Sequence, residues 1–410
     1  MFVTKRFAAK RFAAKSARRL APLVLAALCG TASALDIFGQ VGLEARYFLQ
    51  SPQDDAQVDG FSASLNFEPQ FYHAWDSGRQ SIAVVPYLRL DQYDAERSHF
   101  DMRELTYVKA AQSWELRAGI RKVFWGVIEF QHLVDVINQT DAVENLDGED
   151  KLGQPMLNLA LIKDWGTVDL FLMPYFRERT FSGREGRFRP ATPVDMDEAR
   201  YESGAAERHV DVAVRYAGTF GDYDIGFAHF AGTSRDPRIL SALDAQGDAF
   251  LYPFYDQIHQ TSLDLQVTRE NILWKLEALH RSGQGESYYA AAGGFEYTFY
   301  GVFGTPWDIG ALGEYHYDER GKSAPSGLDD EIALGVRLAM NDAQSTDAIA
   351  GILVDRDTGA RFFSVEASRR IGDSWVLELQ ARFLQGQRHE DPAYGISKDD
   401  YIELYLSYNF

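Results

Sequence analysis

The sequence contains little cysteine, an excess of acidic over basic residues, and no long apolar segment after its first 34 residues. The single cysteine, Cys29, rules out a framework of disulfide bonds. The 41 lysines and arginines are outnumbered by 60 aspartates and glutamates, which argues against a nucleic-acid partner because phosphate binding requires a basic surface. Beyond residue 34 the chain has no run of about 18 apolar residues, which excludes transmembrane helices.

The N-terminal segment has the pattern of a secretory signal. Residues 1–19 contain seven basic residues and no acidic one, an apolar run follows over residues 20–28, and small side chains come directly after it. A basic segment, a short apolar segment and small residues are the three parts of a cleaved signal peptide. We therefore predict a signal peptide over residues 1–34, cleaved after Ala34.

A lipoprotein with an acylated Cys29 is the alternative interpretation of this segment. It is disfavoured because Leu28 stands where the lipoprotein motif requires a small residue. Cleavage after Ala34 leaves a single domain, residues 35–410, that contains no cysteine. Its net charge is −26, because the segment removed holds seven of the basic residues and no acid.

Strict alternation of apolar and polar residues is the main pattern in the remaining chain. In the last ten residues the apolar face consists of Ile402, Leu404, Leu406, Tyr408 and Phe410. Alternation with a period of two indicates a strand that has one apolar face and one polar face. Four further segments alternate as clearly: 61–71, 114–121, 332–340 and 375–383.

Extending this pattern along the chain predicts eighteen strands. They cover residues 37–48, 60–72, 81–91, 101–111, 113–123, 156–163, 167–177, 209–218, 221–231, 256–268, 271–281, 288–300, 307–317, 330–341, 346–356, 361–371, 374–384 and 399–410. Most are close to the roughly 9–11 residues that a tilted strand needs to cross a bilayer. Sixteen strands would also satisfy the even number expected of such barrels, and 346–356 is the least regular segment.

The connections between these strands alternate in length. Short turns occur at 76–79, 164–166 and 372–373, whereas long loops occur at 124–155, 178–208 and 232–255. Short turns at one rim and long loops at the other are typical of outer-membrane barrels. The predicted fold is therefore all-β: a transmembrane antiparallel up-and-down β-barrel of about 18 strands, with short periplasmic turns and long extracellular loops.

Aromatic side chains are abundant, with 27 phenylalanines, 21 tyrosines and 7 tryptophans. Transmembrane barrels place such residues in girdles at the two membrane interfaces. We expect six aromatic residues near strand ends to form these girdles: Tyr47, Phe48, Trp75, Trp307, Tyr315 and Tyr317. Ordinary core packing is the alternative role for each of them.

The signal peptide, the rhythm of the strands and the C-terminal Phe410 together resemble the general porins of the bacterial outer membrane. The resemblance spans nearly the whole mature chain, although these features are not specific to one subfamily. It implies that Phe410 belongs to the signal recognised by the barrel assembly machinery, and that the protein contacts outer-membrane lipid and lipopolysaccharide. Small polar solutes are the expected ligands, a homotrimer is a candidate assembly, and no cofactor or metal is expected.

Inward-facing positions of the predicted strands contain many charges of both signs, including Arg46, Arg89, Arg117 and Arg121. In the core of a soluble protein so many buried charges would be prohibitive, whereas a water-filled lumen tolerates them. The inner wall is therefore predicted to be wet. A solvated wall without selectivity remains one interpretation of these charges.

The loop over residues 124–155 is largely apolar, and an apolar loop usually folds onto another surface. We count this loop as the third long loop of the barrel. In general porins the third long loop folds into the lumen, so the resemblance implies that this loop forms a constriction. Its acidic residues would then face the lumen arginines and set up a transverse field: Asp141, Glu144, Asp147, Glu149 and Asp150. Binding of a divalent ion by these acids is an alternative, but they show no regular ligand spacing.

The sequence thus predicts an outer-membrane pore for passive or weakly selective diffusion of small hydrophilic solutes or ions, and not an enzyme. A surface or structural barrel that does not conduct, such as an adhesin or a receptor, is the second interpretation. The third is a barrel lipase, because His280 and Ser282 resemble the His-x-Ser pair of outer-membrane phospholipase A. A further Ser-Arg-Ser-Trp-Asn-Arg stretch of that family is missing from this sequence.

Overall fold

The computed structural model of the chain describes residues 35–243, 246–247, 249–324, 329–389 and 391–410. The predicted signal peptide, its cleavage site after Ala34 and Cys29 lie outside these residues. No helix within the described ranges is long and apolar enough to cross a membrane.

Eighteen strands form one antiparallel sheet in which each strand pairs with its neighbours along the chain. They are β1 (Asp36–Phe48), β2 (Phe61–Trp75), β3 (Gln80–Asp91), β4 (Phe100–Ala110), β5 (Trp114–Arg121), β6 (Gln154–Lys163), β7 (Gly166–Met173), β9 (Asp211–Phe220), β10 (Tyr223–Thr233), β13 (Gln257–Arg269), β14 (Ile272–Gly283), β15 (Gly285–Phe299), β16 (Asp308–Asp318), β17 (Asp330–Ala339), β18 (Asp347–Asp355), β19 (Arg361–Ile371), β20 (Trp375–Gln385) and β21 (Tyr401–Asn409). The eighteen predicted strands are confirmed, including the least regular one, which is β18.

The first and last strands close the sheet into a barrel. Strand β1 pairs with β21 in a register that runs from Gln40 opposite Asn409 to Phe48 opposite Tyr401. Beyond this register, the amides of Gly39 and Phe410 each donate to the other's carbonyl at 3.1 Å. Closure leaves the barrel without a free edge, so backbone groups find partners on neighbouring strands even in lipid.

The two faces of the barrel wall differ in polarity as predicted. In β21, Glu403 and Ser407 are buried on the inner face, whereas Leu404 and Phe410 are 49% and 46% exposed on the outer face. An apolar outer face suits a lipid environment. The expected girdle position of Phe48 is wrong: this ring is buried and packs against Phe188 and Tyr401, because it shares the inward parity of the charged residues of β1.

The two rims of the barrel also differ. The connections from β2 to β3, from β6 to β7 and from β19 to β20 are short, and we call this end the turn rim. The connections from β5 to β6, from β7 to β9 and from β10 to β13 are long, and we call the opposite end the loop rim. Both described termini lie at the turn rim, because eighteen antiparallel strands return the chain to its starting side.

A second, three-stranded sheet lies at the loop rim and was missed by the sequence prediction, which treated 178–208 and 232–255 as plain loops. It consists of β8 (Arg200–Tyr201), β11 (Arg238–Leu243) and β12 (Ala249–Tyr255). The aromatic-rich sequence of β12 favours a strand and was the overlooked signal. The ring of Tyr255 packs against Phe176 with a centroid distance of 4.9 Å, which holds this sheet to the end of the barrel.

Candidate functional site

The β5–β6 loop, residues 122–153, lies against the inner wall of the barrel. Its side chains Val134 and Ile137 are fully buried, and Trp125 is 3% exposed. They pack on wall residues from five strands: Met156, Phe171, Met173, Ala213, Ala228, Phe230 and Ile258. The apolar character of this loop is therefore explained by burial on the lumen wall.

The same loop reaches the opposite side of the barrel. Phe130 packs against Leu312, Leu353 and Phe362, which lie on β16, β18 and β19. A Cβ atom at Gly335 on β17 would come within 3.0 Å of the Phe130 ring, so a side chain at this position would press on the loop. Strand β17 is nine strands from β5 in the ring of eighteen, so the loop spans the lumen.

Two inward-facing carboxylates bind the backbone of the loop where it meets the far wall. Glu277 on β14 accepts hydrogen bonds from the amides of Val127, Ile128 and Val134 at distances between 2.5 and 3.1 Å. The loop has no strand partner in this region, so its buried amides need other acceptors. Glu277 supplies three of these bonds, and a carboxylate acceptor makes each of them stronger than a neutral one.

Glu314 on β16 binds backbone amides of the loop in the same way. Its two carboxylate oxygens accept hydrogen bonds from the amides of Glu129 and Phe130, at 2.8 and 3.1 Å. The Glu129 side chain in turn pairs with Lys275 at 3.2 Å and with Arg337 at 2.9 Å. Both backbone and side chain of this part of the loop are thus bound to the far wall.

An ion-pair network binds the acidic half of the loop to strands β3 and β4. Arg89 contacts Glu144 at 2.6 Å, and Arg103 contacts Asp141 at 2.6 Å. Arg97 donates a hydrogen bond to the carbonyl oxygen of Val143 at 2.8 Å. The ionised groups of this network are at most 6% exposed, so each charge depends on its partners for compensation.

The network fixes the charge state of Asp141. Burial alone would raise the pKa of this carboxyl group, but hydrogen bonds and charges from His99 and Arg103 outweigh burial and hold the pKa well below its usual range. Thr180, from the loop between β7 and β9, donates a further hydrogen bond at 2.7 Å. Asp141 is therefore an ionised link between two loops and the wall.

The predicted site residues fall into several groups. Of the predicted acids and arginines, Glu144 and Arg89 are in direct contact. Asp147 lies 3.5 Å from Arg382, which is fully buried on β20. The carboxylate of Glu149 lies 2.7 Å from a ring nitrogen of His132.

The remaining members of the predicted site have other partners. Arg117 and Arg121 are half-buried on β5, and each donates a hydrogen bond to Asn158 at 2.9 Å. Arg46 is buried and pairs with Glu403 at 2.6 Å, with the rings of Phe188 and Tyr401 each 4.9 Å away. The backbone carbonyl of Asp150 accepts the amide of Asp141 at 2.8 Å, which closes the acidic segment into a short turn.

Sequence reasoning missed the residues that hold the loop in place. Arg103 follows Asp101 at the inward parity of β4, so alternation alone could have identified it. No pattern in the sequence identified Glu277 or Glu314 as an acceptor for loop amides. Such contacts join residues more than 140 positions apart, and only the closed sheet brings them together.

Two groups of potential metal ligands occur among the described residues. In the first group, His99, Asp141 and Glu144, the carboxylates are already compensated by Arg89 and Arg103. Two guanidinium groups at this distance oppose a divalent cation. This group is therefore explained by the ion-pair network.

A cavity of about 370 Å³ lies at the loop rim between the β5–β6 loop and the wall formed by β14 to β20. Charges of both signs line it. Arg281 pairs with Asp236 at 2.9 Å, and Arg320 pairs with Asp318 at 2.6 Å while lying over the Tyr288 ring. Apolar side chains line it as well: Leu133, Leu146, Leu279, Leu353, Phe362, Leu384 and Ile396.

The residues of the lipase interpretation, His280 and Ser282, both lie on the outer face of β14. The His280 ring packs against Tyr289 with a centroid distance of 4.7 Å. Within the described ranges, no hydrogen bond joins His280 to Ser282 and no carboxylate pairs with His280. A catalytic dyad needs such contacts to activate the serine.

The fold has counterparts among solved structures. No protein-family model and no curated protein sequence matches the chain. OpdO of Pseudomonas aeruginosa superposes with a TM-score of 0.55 at 10% identity, over 92% of this chain and 97% of that chain. Wzi of Escherichia coli, described as a carbohydrate-binding β-barrel involved in group 1 capsule assembly, gives a TM-score of 0.53 at 9% identity, over 90% of this chain and 84% of that chain.

The match to a mutant of the porin of Rh. blastica extends over 100% of that chain and 92% of this chain, with a TM-score of 0.45 and 10% identity. Similarities at such low identity concern the fold. The closed antiparallel sheet of eighteen strands therefore has a porin-like β-barrel fold.

Proposed function

We propose that the protein is an outer-membrane pore for passive or weakly selective diffusion of small hydrophilic solutes or ions, narrowed by the β5–β6 loop. The main supporting observation is that this loop spans the lumen and is bound to the far wall through Glu277 and Glu314. An eighteen-stranded barrel is wide enough for an aqueous channel, so a loop across it sets the size of what passes.

The proposed route runs past the loop on the side of strands β14 to β20. The cavity at the loop rim opens on this side and is lined by charges of both signs. Deeper in the barrel, Arg337 and Glu296 are paired and remain 19% and 14% exposed. A wall of mixed charge offers contacts to polar solutes without strong preference for one sign, which supports weak selectivity.

Within this proposal the predicted site residues have two different roles. Asp147, Glu149 and Asp150 belong to the part of the loop beside this route, where Asp147 lines the cavity, and we assign the bias in ion preference to them. Arg117 and Arg121 lie on β5, across the lumen from this route. The buried residues support the loop from behind: Asp141, Glu144, Arg89 and Arg46. The second group consists of buried ion pairs, and a fully buried ion pair is compensated by its partner and exerts little field on a passing solute.

The pH dependence of ion preference tests the first of these roles. Burial raises the pKa of Asp147 and the pKa of Glu149 to about 8, although Arg382 and Lys151 respectively oppose the shift. Both groups therefore hold their protons at pH 7 and lose them as the pH rises toward 9. We expect the reversal potential under a salt gradient to shift toward cation preference over this range.

The double variant Asp147→Asn with Glu149→Gln is the control for this prediction, and its reversal potential should change much less with pH. A residual shift is expected from His99: burial lowers its pKa, but Asp141 and Glu144 raise it further than burial lowers it. The protons on Asp147 and Glu149 are bound more tightly in the folded state than in the unfolded state, so stability should fall as the pH rises toward 8. Identical pH profiles for both proteins would contradict the assignment.

The partners expected of such a pore belong to the same proposal. Phe410 lies at the closing seam, where its ring stacks on Phe67 with a centroid distance of 6.3 Å, and we propose that the assembly machinery recognises this end of β21. The apolar outer face is proposed to contact lipid and lipopolysaccharide. Cross-strand neighbours Thr261 and His280 make the outer face of β13 and β14 more polar, which makes this the preferred contact between copies in a homotrimer.

Solute uptake by liposomes separates the pore from a barrel that acts only as an adhesin or receptor. We expect proteoliposomes to swell in solutions of small neutral sugars, at rates that fall as the sugar becomes larger. Proteoliposomes that contain the variant Ser282→Ala should swell at the same rate as those with the original chain. The amount of phospholipid product released should also be the same, because the pore proposal gives this serine no role. Failure of folded protein to admit any sugar would favour the surface-barrel interpretation.

A further inference from the structure

A second group of carboxylates lies at the loop rim, outside the network that holds the β5–β6 loop. Glu331 on β17 and Asp355 on β18 are direct cross-strand partners, and Asp329 precedes β17. Each contributes an oxygen atom to a group whose members lie within 4.8 Å of one another. All three residues line the cavity.

This group is poorly compensated by basic residues. Asp318 and Asp330 on the same rim pair with Arg320 and Arg356, at 2.6 and 2.7 Å. Within the described ranges, no lysine or arginine forms an ion pair with Asp329, Glu331 or Asp355. Like charges placed directly opposite each other on neighbouring strands destabilise a sheet, so this arrangement needs a compensating positive charge.

The strongest indication of a ligand is the side chain of Glu331. It is 1% exposed, and its Oε1 atom accepts the amide of Asp329 at 3.0 Å. Its Oε2 atom is buried and receives no hydrogen bond. A buried carboxylate oxygen without a donor is unfavourable unless a proton or a cation satisfies it.

Hydrogen bonds at the loop rim orient the side chain of Asp355 and hold the backbone of Asp329. Asp355 accepts the amides of Asp357 and Thr358 at 2.7 and 2.8 Å, which orients its side chain at the end of β18. The backbone carbonyl of Asp329 accepts the amide of Asp318 at 3.0 Å, which ties it to the end of β16.

We propose that Asp329, Glu331 and Asp355 form a binding site for a hard divalent cation of the calcium type. Three carboxylates supply between three and six oxygen ligands, and water in the adjoining cavity completes the roughly six to eight that Ca²⁺ requires. The cation joins the β16–β17 connection to β18 at the mouth of the cavity. This site is independent of the pore proposal, because its formation does not require that solutes cross the barrel.

Calcium binding to the full mature chain, refolded in detergent without lipopolysaccharide, tests this site. Isothermal titration calorimetry with calcium chloride should give one saturable site, and the melting temperature should rise with calcium and fall back with chelator. Glu331→Gln should weaken binding at least about tenfold, since it removes one of three charged ligands. Asp330→Asn is the matched control: it removes a neighbouring rim carboxylate outside the group and should leave the affinity unchanged.

A second variant, Asp329→Asn, guards against a folding defect in the first and should also weaken binding. Without calcium, Glu331→Gln should melt at the same or a higher temperature than the original chain, because it relieves repulsion between carboxylates. Equal calcium affinity in the original chain and in Glu331→Gln would overturn the proposal. Absence of saturable binding at millimolar calcium would also overturn it and would leave a shared proton as the compensating charge.

Discussion

Replacing Glu277 and Glu314 together by glutamine will increase the single-channel conductance severalfold. Five backbone amides of the β5–β6 loop donate to these two carboxylates. A glutamine side chain has one acceptor oxygen, whereas a carboxylate has two. The NH2 group that replaces the second oxygen is a donor and cannot accept a hydrogen bond from a loop amide. Each lost hydrogen bond to a charged acceptor contributes about 1.5–3 kcal/mol, so the loop should leave the far wall.

The control for this experiment is Asp169→Asn. Asp169 is an inward-facing carboxylate on β7 that accepts a hydrogen bond from Asn158 and pairs with Arg117 at 3.4 Å, both of which are residues of the barrel wall. Its replacement should leave the size of the conductance steps nearly unchanged. An unaltered conductance in the Glu277 and Glu314 double variant would mean that the loop does not limit the pore.

Neutralising Asp141 and Glu144 together will destabilise the barrel and shift ion preference toward anions. The change leaves the guanidinium groups of Arg89 and Arg103 buried without their partners. Breaking a buried pair in this way costs about 3–5 kcal/mol. We therefore expect a lower melting temperature for Asp141→Asn with Glu144→Gln, and a reversal potential displaced toward anion permeability as the released arginines become accessible.

An exposed ion pair provides the matched control for stability. Arg369 and Asp342 at the turn rim lie 3.2 Å apart and remain 49% and 26% exposed. Pairs of this kind contribute about 0–1 kcal/mol, so Asp342→Asn should barely change the melting temperature. Equal effects of the two neutralisations would contradict the role given to the buried network.

The strands could be predicted from the sequence because each of them has one face in lipid and one in the lumen. A period of two then appears in every strand, as in β21, and parity assigns each side chain to a face. The same parity should have placed Phe48 inside the barrel with Arg46, and its assignment to an aromatic girdle ignored this constraint. Apolar strands outside the barrel, such as β12, lack the alternation and were therefore missed.

The candidate site was harder to predict than the fold. The apolar β5–β6 loop and its acidic residues were recognisable from composition, and Arg89 was among the expected arginines. The contacts themselves depend on which strands face each other across the lumen, since Glu277 lies about 150 positions from the amides that it binds. No local pattern encodes a distance of this kind.

Single-channel recording in planar bilayers is the most direct test of the central claim, that the barrel is a pore narrowed by the β5–β6 loop. The account predicts discrete conductance steps from the refolded mature chain, and larger steps from the Glu277 and Glu314 double variant. Circular dichroism would establish beforehand that both proteins contain the β-sheet of the folded barrel. Absence of any conductance step from both folded proteins would contradict the account.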